Sequence, residues 1–330
     1  MFKKTKSFLW IWFFYYLLKY VLKSSVIINK LNNFMIKRKL SIICLIAGIL
    51  LSSCSGDDDG GSRNAKLTLN IIGLQELNNT SEYEAWIVVN GSNISLGRFT
   101  NTNFPKDFRL QSEVLNNASR FMLSIEPGND SNSTISNTVI LSGDFSGNSA
   151  SLSINQAIGN FTGAAGEFVL ETPTDDDPFM TNTNDQAGIY WYVPNENPPR
   201  AGLNLPNLPS GWKYEGWVVL PTSQGTVNVS TGTFRSPDGA DDFAPYSGNQ
   251  PAPDFPGEDF LNNSVAPAGV NFPPDLRGKK VFISIEPFPD TDQAPFFIRP
   301  LDATATEVSP FLHSMNLNSA SFPLGSVTRE

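Results

Sequence analysis

The sequence predicts an all-β protein, with two related β-sandwich-like domains following an N-terminal leader. Three observations predict it. Apolar residues alternate with period two in short runs. Four sequence blocks occur twice in the same order. Gly, Asn, Ser and Pro punctuate the runs, and no long stretch shows the 3.6-residue helical period.

The leader comes first. Nine of the 23 basic residues lie within residues 1–53, which hold no Asp or Glu. From Cys54 onward 32 acidic residues face 14 basic ones, a net of about −18 against −9 for the whole chain. Such asymmetry marks a targeting segment ahead of an exported body. Met35-Ile36-Lys37-Arg38-Lys39 is a basic n-region, Leu40 to Leu51 is apolar, and Leu51-Ser52-Ser53-Cys54 sets small residues before a cysteine. The pattern resembles the bacterial lipobox. The apolar run is too short to span a bilayer comfortably. The resemblance implies a signal peptide over 35–53, cleavage before Cys54, and lipidation of Cys54 by palmitate-type chains. The membrane is then a partner through the lipid anchor, and several acyl chains hold far more firmly than one.

Residues 54–65 form an acidic, Gly-rich tether, Ser55-Gly56-Asp57-Asp58-Asp59-Gly60-Gly61-Ser62 at its heart. It resembles the export signal of surface lipoproteins in Bacteroidetes-type bacteria. The expected location is the outer membrane, at the cell surface or on the periplasmic face. Residues 1–34 precede a complete signal sequence. They are expected to be mis-assigned upstream sequence with Met35 as the true start; an extra membrane helix is the alternative.

Several chemistries are excluded. Cys44 falls in the signal, so the mature chain keeps one cysteine, lipidated, with no disulfide or thiol chemistry. His313 is the one histidine, which rules out designs needing two. The acidic balance argues against nucleic acid. No nucleophile elbow, phosphate loop or dinucleotide fingerprint occurs. No catalytic residue, metal site or cofactor is expected, and the protein is read as no enzyme.

The body repeats itself. Tyr83-Glu84-Ala85-Trp86-Ile87-Val88-Val89 returns as Tyr214-Glu215-Gly216-Trp217-Val218-Val219-Leu220. Leu67-Thr68-Leu69 pairs with Leu203-Asn204-Leu205, Gly97-Arg98-Phe99 with Gly232-Thr233-Phe234, and Leu123-Ser124-Ile125-Glu126-Pro127 with Ile283-Ser284-Ile285-Glu286-Pro287. This reads as a tandem duplication. Tyr83 to Glu126 spans 43 positions and Tyr214 to Glu286 spans 72, so the second copy carries about 29 extra residues. In the first copy Tyr83, Ala85, Ile87 and Val89 share one strand face, and Glu84, Trp86 and Val88 the other. Both faces are largely apolar, so the strand is expected between two layers. Phe121–Ile125, Asn137–Leu141, Ala150–Ile154, Glu167–Glu171, Gly188–Val193 and Pro295–Ile298 are further strand candidates. Only Pro105 and Pro127 of the 24 prolines precede residue 173. That shift sets a first β-domain at 66–174 and a second at 175–330, with a Pro-rich insertion near 243–275.

The duplicated blocks resemble the C-terminal extracytoplasmic domain of anti-sigma-K factors. The pattern is Tyr-x-x-Trp, then Ser95-Leu96-Gly97-Arg98-Phe99, then Ser-Ile-Glu-Pro, then Val139-Ile140-Leu141-Ser142-Gly143. The likeness covers about 80 residues in the first copy and is looser in the second. It implies a β-sandwich on the outer side of a membrane. The sigma-binding helix bundle and its zinc motif are missing, so it does not imply sigma-factor inhibition.

The remaining candidates have modest readings. Glu126 and Glu286, one per domain, are expected to accept hydrogen bonds from a neighbouring strand's backbone or a tyrosine hydroxyl. Trp86 and Trp217 are expected in the core. The acidic loops at 175–177, 238–242 and 290–292 read as solvated turns, with calcium the open alternative. Tyr190, Trp191, Tyr192, Tyr246, Phe255 and Phe260 are the candidate contacts for a protein or glycan partner. The expected function is a non-enzymatic binding or interaction module. The alternative is an extracytoplasmic sensor or regulator acting through a partner protein.

Overall fold

A computed structural model describes residues 64–129, 134–176, 183–290, 292–307 and 312–330. The lipobox, Cys54 and tether residues 55–63 lie outside the described residues, while Asn64 and Ala65, expected as the end of the tether, open the first strand instead.

The body is nearly all β, as the period-two runs predict. The strands are β1 (Asn64–Ile72), β2 (Ser81–Val89), β3 (Ser92–Phe99), β4 (Lys106–Gln111), β5 (Ala118–Pro127), β6 (Val139–Asp144), β7 (Ser149–Ser153), β8 (Ala165–Phe168), β9 (Gly188–Tyr190), β10 (Tyr192–Val193), β11 (Arg200–Ala201), β12 (Leu203–Asn204), β13 (Trp212–Thr222), β14 (Gly225–Phe234), β15 (Gly257–Asp259), β16 (Lys280–Pro287), β17 (Leu301–Thr304), β18 (His313–Leu317) and β19 (Leu324–Arg329). A one-turn helix, α1 (Ser112–Asn116), buries Leu115. Eight strands form one sheet in the order β3-β2-β5-β6-β7-β19-β1-β4. Seven form a second, β12-β8-β18-β17-β16-β13-β14.

The duplication is carried into the backbone. In each copy a long hairpin, β2–β3 or β13–β14, pairs on its other edge with β5 or β16. Both hairpins have a bulge at the same place, between Ala85 and Trp86 and between Gly216 and Trp217. Opposite each bulge stands a glycine, Gly97 at φ 120° and Gly232 at φ 114°, a conformation that disfavours side chains. Tyr83 donates to the carbonyl of Gln75 (2.7 Å) and Tyr214 to that of Pro206 (2.6 Å). The Trp86 indole donates to Ser124 (2.9 Å) and the Trp217 indole to Ser284 (2.8 Å). Both tryptophans are buried, as expected, and their polar nitrogens are satisfied.

The boundary expected at 174/175 does not separate the sheets. Strand β19 inserts between β7 and β1 of the first sheet, and β8 joins β12 to β18 in the second. The described residues all belong to one compact unit. One apolar cluster runs from Ala65 to Val327. The packing crosses the boundary at side-chain level, as in the Phe161–Phe322 contact (5.6 Å). A second correction concerns Pro295–Ile298, which is irregular. There the Phe296 amide is bonded to the Glu286 side chain, so it is lost to a strand ladder.

Candidate functional site

Each copy builds an acidic corner where its hairpin meets the following strand. In the first copy Glu84 accepts from Ser95 and from Arg98 Nε (2.8 Å). Arg98 also reaches the carbonyl of Pro127 (3.3 Å). Glu126 is buried; it accepts from the Ser124 hydroxyl and the Ser136 amide (3.0 Å). The second copy repeats the carboxylates. Glu215 accepts from Ser230, and Glu286 from the Ser284 hydroxyl and the Phe296 amide (2.9 Å). The expected role of Glu126 and Glu286 as acceptors from neighbouring backbone is therefore seen. The tyrosine hydroxyls are not their partners, because both reach backbone carbonyls instead.

The corners differ at two cross-strand positions. Glu82 lies opposite Glu126, whereas Lys213 lies opposite Glu286. Glu84 lies opposite Arg98, whereas Glu215 lies opposite Thr233. The nearby lysine of the second copy, Lys213, is paired with Asp242 and lies 4.7 Å above the Phe288 ring. Burial pushes Glu286 up to about 8, with the negative charges of Glu215 and Asp290 adding to the rise. Burial likewise pushes Glu215 up to about 7, Asp290 again adding and Lys213 opposing.

The expectation that Glu126 and Glu286 stand in separate domains is corrected. Both line one cleft of about 460 Å³, together with Pro127, Phe288, Asp290 and Phe296. The ends of β5 and β16, which belong to different sheets, carry the two Glu-Pro corners to this one surface.

The insertion is folded inward. Glu258 and Asp259 on β15 are fully buried beside β9. Glu258 accepts from Ser247 and from the Asp259 amide (3.0 Å). Asp259 accepts from the Thr174 amide (2.7 Å) and hydroxyl. Of the expected partner contacts, Tyr190, Trp191, Tyr192 and Phe260 are buried, which corrects their reading as a surface. Tyr246 and Phe255 are half-buried; Tyr246 packs on Phe260 (5.7 Å) and Phe255 stacks on Tyr192 (5.1 Å). The physical reason is local. Trp191 occupies the space that a side chain on Gly216 would need, 2.8 Å from its missing Cβ. His313 is also buried; it stacks on Phe168 (4.6 Å) and bonds Thr306 (2.9 Å).

Comparison with known proteins finds no matching family model, curated protein or solved structure. The sequence reading does not single out Glu215 as a site residue, whereas Asp290 belongs to the 290–292 loop read as a solvated turn with calcium the alternative. The signal available was the middle residue of the repeated Gly-x-Phe block, basic in one copy and neutral in the other.

Proposed function

We propose that the protein is a lipid-anchored envelope protein that acts by binding, through the cleft between its two repeated corners. The single observation that carries the binding reading is that cleft, where proline and phenylalanine edges sit beside carboxylates from both copies. Carboxylates engaged by backbone amides and serine hydroxyls serve better as fixed walls than as mobile acid and base. The anchor reading is supported by the order of basic region, apolar run and small residues before Cys54. The repeat pattern shared with anti-sigma-K outer domains supports a position outside the cytoplasmic membrane. It also favours the second reading, a sensor whose output passes through a partner protein.

Labelling cells with a tritiated palmitate precursor tests the anchor. Label is expected in the wild-type chain and lost in Cys54→Ala, which should then appear in the soluble fraction. A Cys54→Ala chain that stays membrane-bound overturns the anchor. Phe288→Ala at the exposed cleft rim tests the binding site, using crosslinking in intact envelopes followed by pull-down. A crosslink profile identical to wild type overturns the cleft as the binding surface.

A further inference from the structure

We infer that the cleft takes a basic side chain, a lysine ammonium or arginine guanidinium on an extended segment of a partner protein, and that Glu126 Oε2 receives it. The inference rests on the binding reading above and names the chemistry of the ligand.

The first observation is an unmet acceptor. Glu126 lines the cleft and is 1% exposed. Its Oε1 accepts from the Ser124 hydroxyl and the Ser136 amide, whereas its Oε2 has no hydrogen-bond partner among the described residues. A buried carboxylate oxygen left without a donor is costly, and a charged N–H recovers more of that cost than a neutral one.

The sister copy shows that the open oxygen is not general to the corner. Both oxygens of Glu286 accept from the Phe296 amide (2.9 and 3.1 Å), and the Ser284 hydroxyl adds a second bond to Oε1. Lys213 faces Glu286 across its strand pair, while another carboxylate, Glu82, faces Glu126. The second copy thus supplies its own donors and a cation. The first supplies neither to Glu126 Oε2.

The cleft is also one-sided in charge. Glu76, Asp290 and Asp292, all exposed, line it with Glu126 and Glu286, and no lysine or arginine is among its described lining residues. The basic groups of the two corners are engaged. Arg98 holds Glu84 and the Pro127 carbonyl, Lys213 holds Asp242, and Arg235 reaches the carbonyls of Ser210 and Trp212. A cationic ligand is therefore complementary to the walls.

The apolar edges fit the rest of such a side chain. The methylene stem of lysine or arginine can lie along Pro127, Pro287 and Phe296 while its charged head reaches the carboxylate. A second depression of about 380 Å³ shares Leu77, Asn78, Thr80 and Ser81 with the cleft and continues to Asn79 and Asn129. Amide side chains there suit the N–H and C=O groups of a peptide backbone, which a free polyamine lacks.

The test uses the full chain in detergent micelles and the fluorescence anisotropy of three labelled peptides: Gly-Ser-Pro-Lys-Pro-Ser-Gly and its arginine and norleucine counterparts. The lysine or arginine peptide is expected to bind wild type saturably, roughly tenfold or more tightly than the norleucine peptide. Glu126→Gln should remove most of that preference. Asp292→Asn, at an exposed position, should lower it by roughly two- to threefold at low salt. Equal affinity for the norleucine peptide overturns the inference; if Phe288→Ala then weakens both peptides, the cleft stands as a binding surface and only its cationic ligand is refuted. No saturable binding of any peptide overturns it as well, and so does spermidine binding as tightly as the lysine peptide. A Glu126→Gln chain that folds, by circular dichroism, and keeps the wild-type preference overturns the role of Glu126. If that variant does not fold, the lysine–norleucine contrast and Asp292→Asn decide the question.

Discussion

In the first copy the residue between the bulge glycine and its aromatic neighbour is Arg98; in the second it is Thr233. Much of the hydrogen bonding around that position is matched, although Lys213 stands where the first copy has Glu82. The tyrosine hydroxyls, the indole–serine bonds and the serine–glutamate bonds recur atom for atom. The first copy therefore closes its acidic corner with its own side chain. The second places Lys213 opposite Glu286 instead, and carries an insertion that buries two more carboxyl groups, Glu258 and Asp259. Duplication kept the scaffold and let the electrostatics diverge. Positions set by packing recur, while the charges beside the carboxylates do not: Glu82 and Arg98 of the first copy give way to Lys213 and Thr233.

The contrast can be strained first through pH. Burial pushes Glu258 up to about 8 and Asp259 up to about 7. An unfolded carboxyl titrates near about 4. The folded state therefore holds protons that the unfolded state releases. Their stabilising effect is complete below about pH 4 and is lost as pH rises through 7 and 8. Urea unfolding with chelator present should show stability falling between pH 5 and 8 by a few kcal/mol, since each tenfold gain in proton affinity on folding is worth about 1.4 kcal/mol. Glu258→Gln should flatten that slope, and a flat wild-type profile would refute the buried-acid account of the insertion.

A second strain is steric. The first copy has Ala85 where the second has Gly216. A Cβ on Gly216 would stand 2.8 Å from the Trp191 indole nitrogen and closer still to the Thr231 hydroxyl. Gly216→Ala should cost about 1–3 kcal/mol by overpacking. Ala85→Gly should cost no more than about 1 kcal/mol. Equal losses in denaturant melts would mean that Trp191 does not distinguish the copies.

The smallest effect concerns the arginine. Arg98→Thr should remove about 1–2 kcal/mol, because Glu84 is buried and keeps only Ser95 among its two side-chain donors. Urea melts of the variant against wild type measure that loss, and an unchanged midpoint would show that Arg98 does not stabilise the first corner.

What could be read beforehand was local. Alternation placed β2 and β5, and the repeated words aligned the copies, because strand faces and bulges are written in neighbouring residues. The Glu-Pro motif foretold a carboxylate bonded to backbone. The meeting of Glu126 and Glu286 in one cleft was not legible, since nothing near either residue encodes its partner across the molecule. The exchange of β8 and β19 between sheets was hidden for the same reason. Tyr190-Trp191-Tyr192 was ambiguous because all three side chains are buried, so no polar face marked their surroundings.

The placement of β19 bears on how the chain must assemble. Residues 324–329 supply the strand that joins β7 to β1, so β7 has only β6 and β1 only β4 until that strand arrives. The backbone of Lys66 exchanges two hydrogen bonds with Glu330, closing the loop between distant parts of the sequence. Order of synthesis and order of assembly are thus opposed. An N-terminal fragment would be left with two open sheet edges, a template for unwanted pairing. A polypeptide that is delivered whole before it folds avoids that hazard.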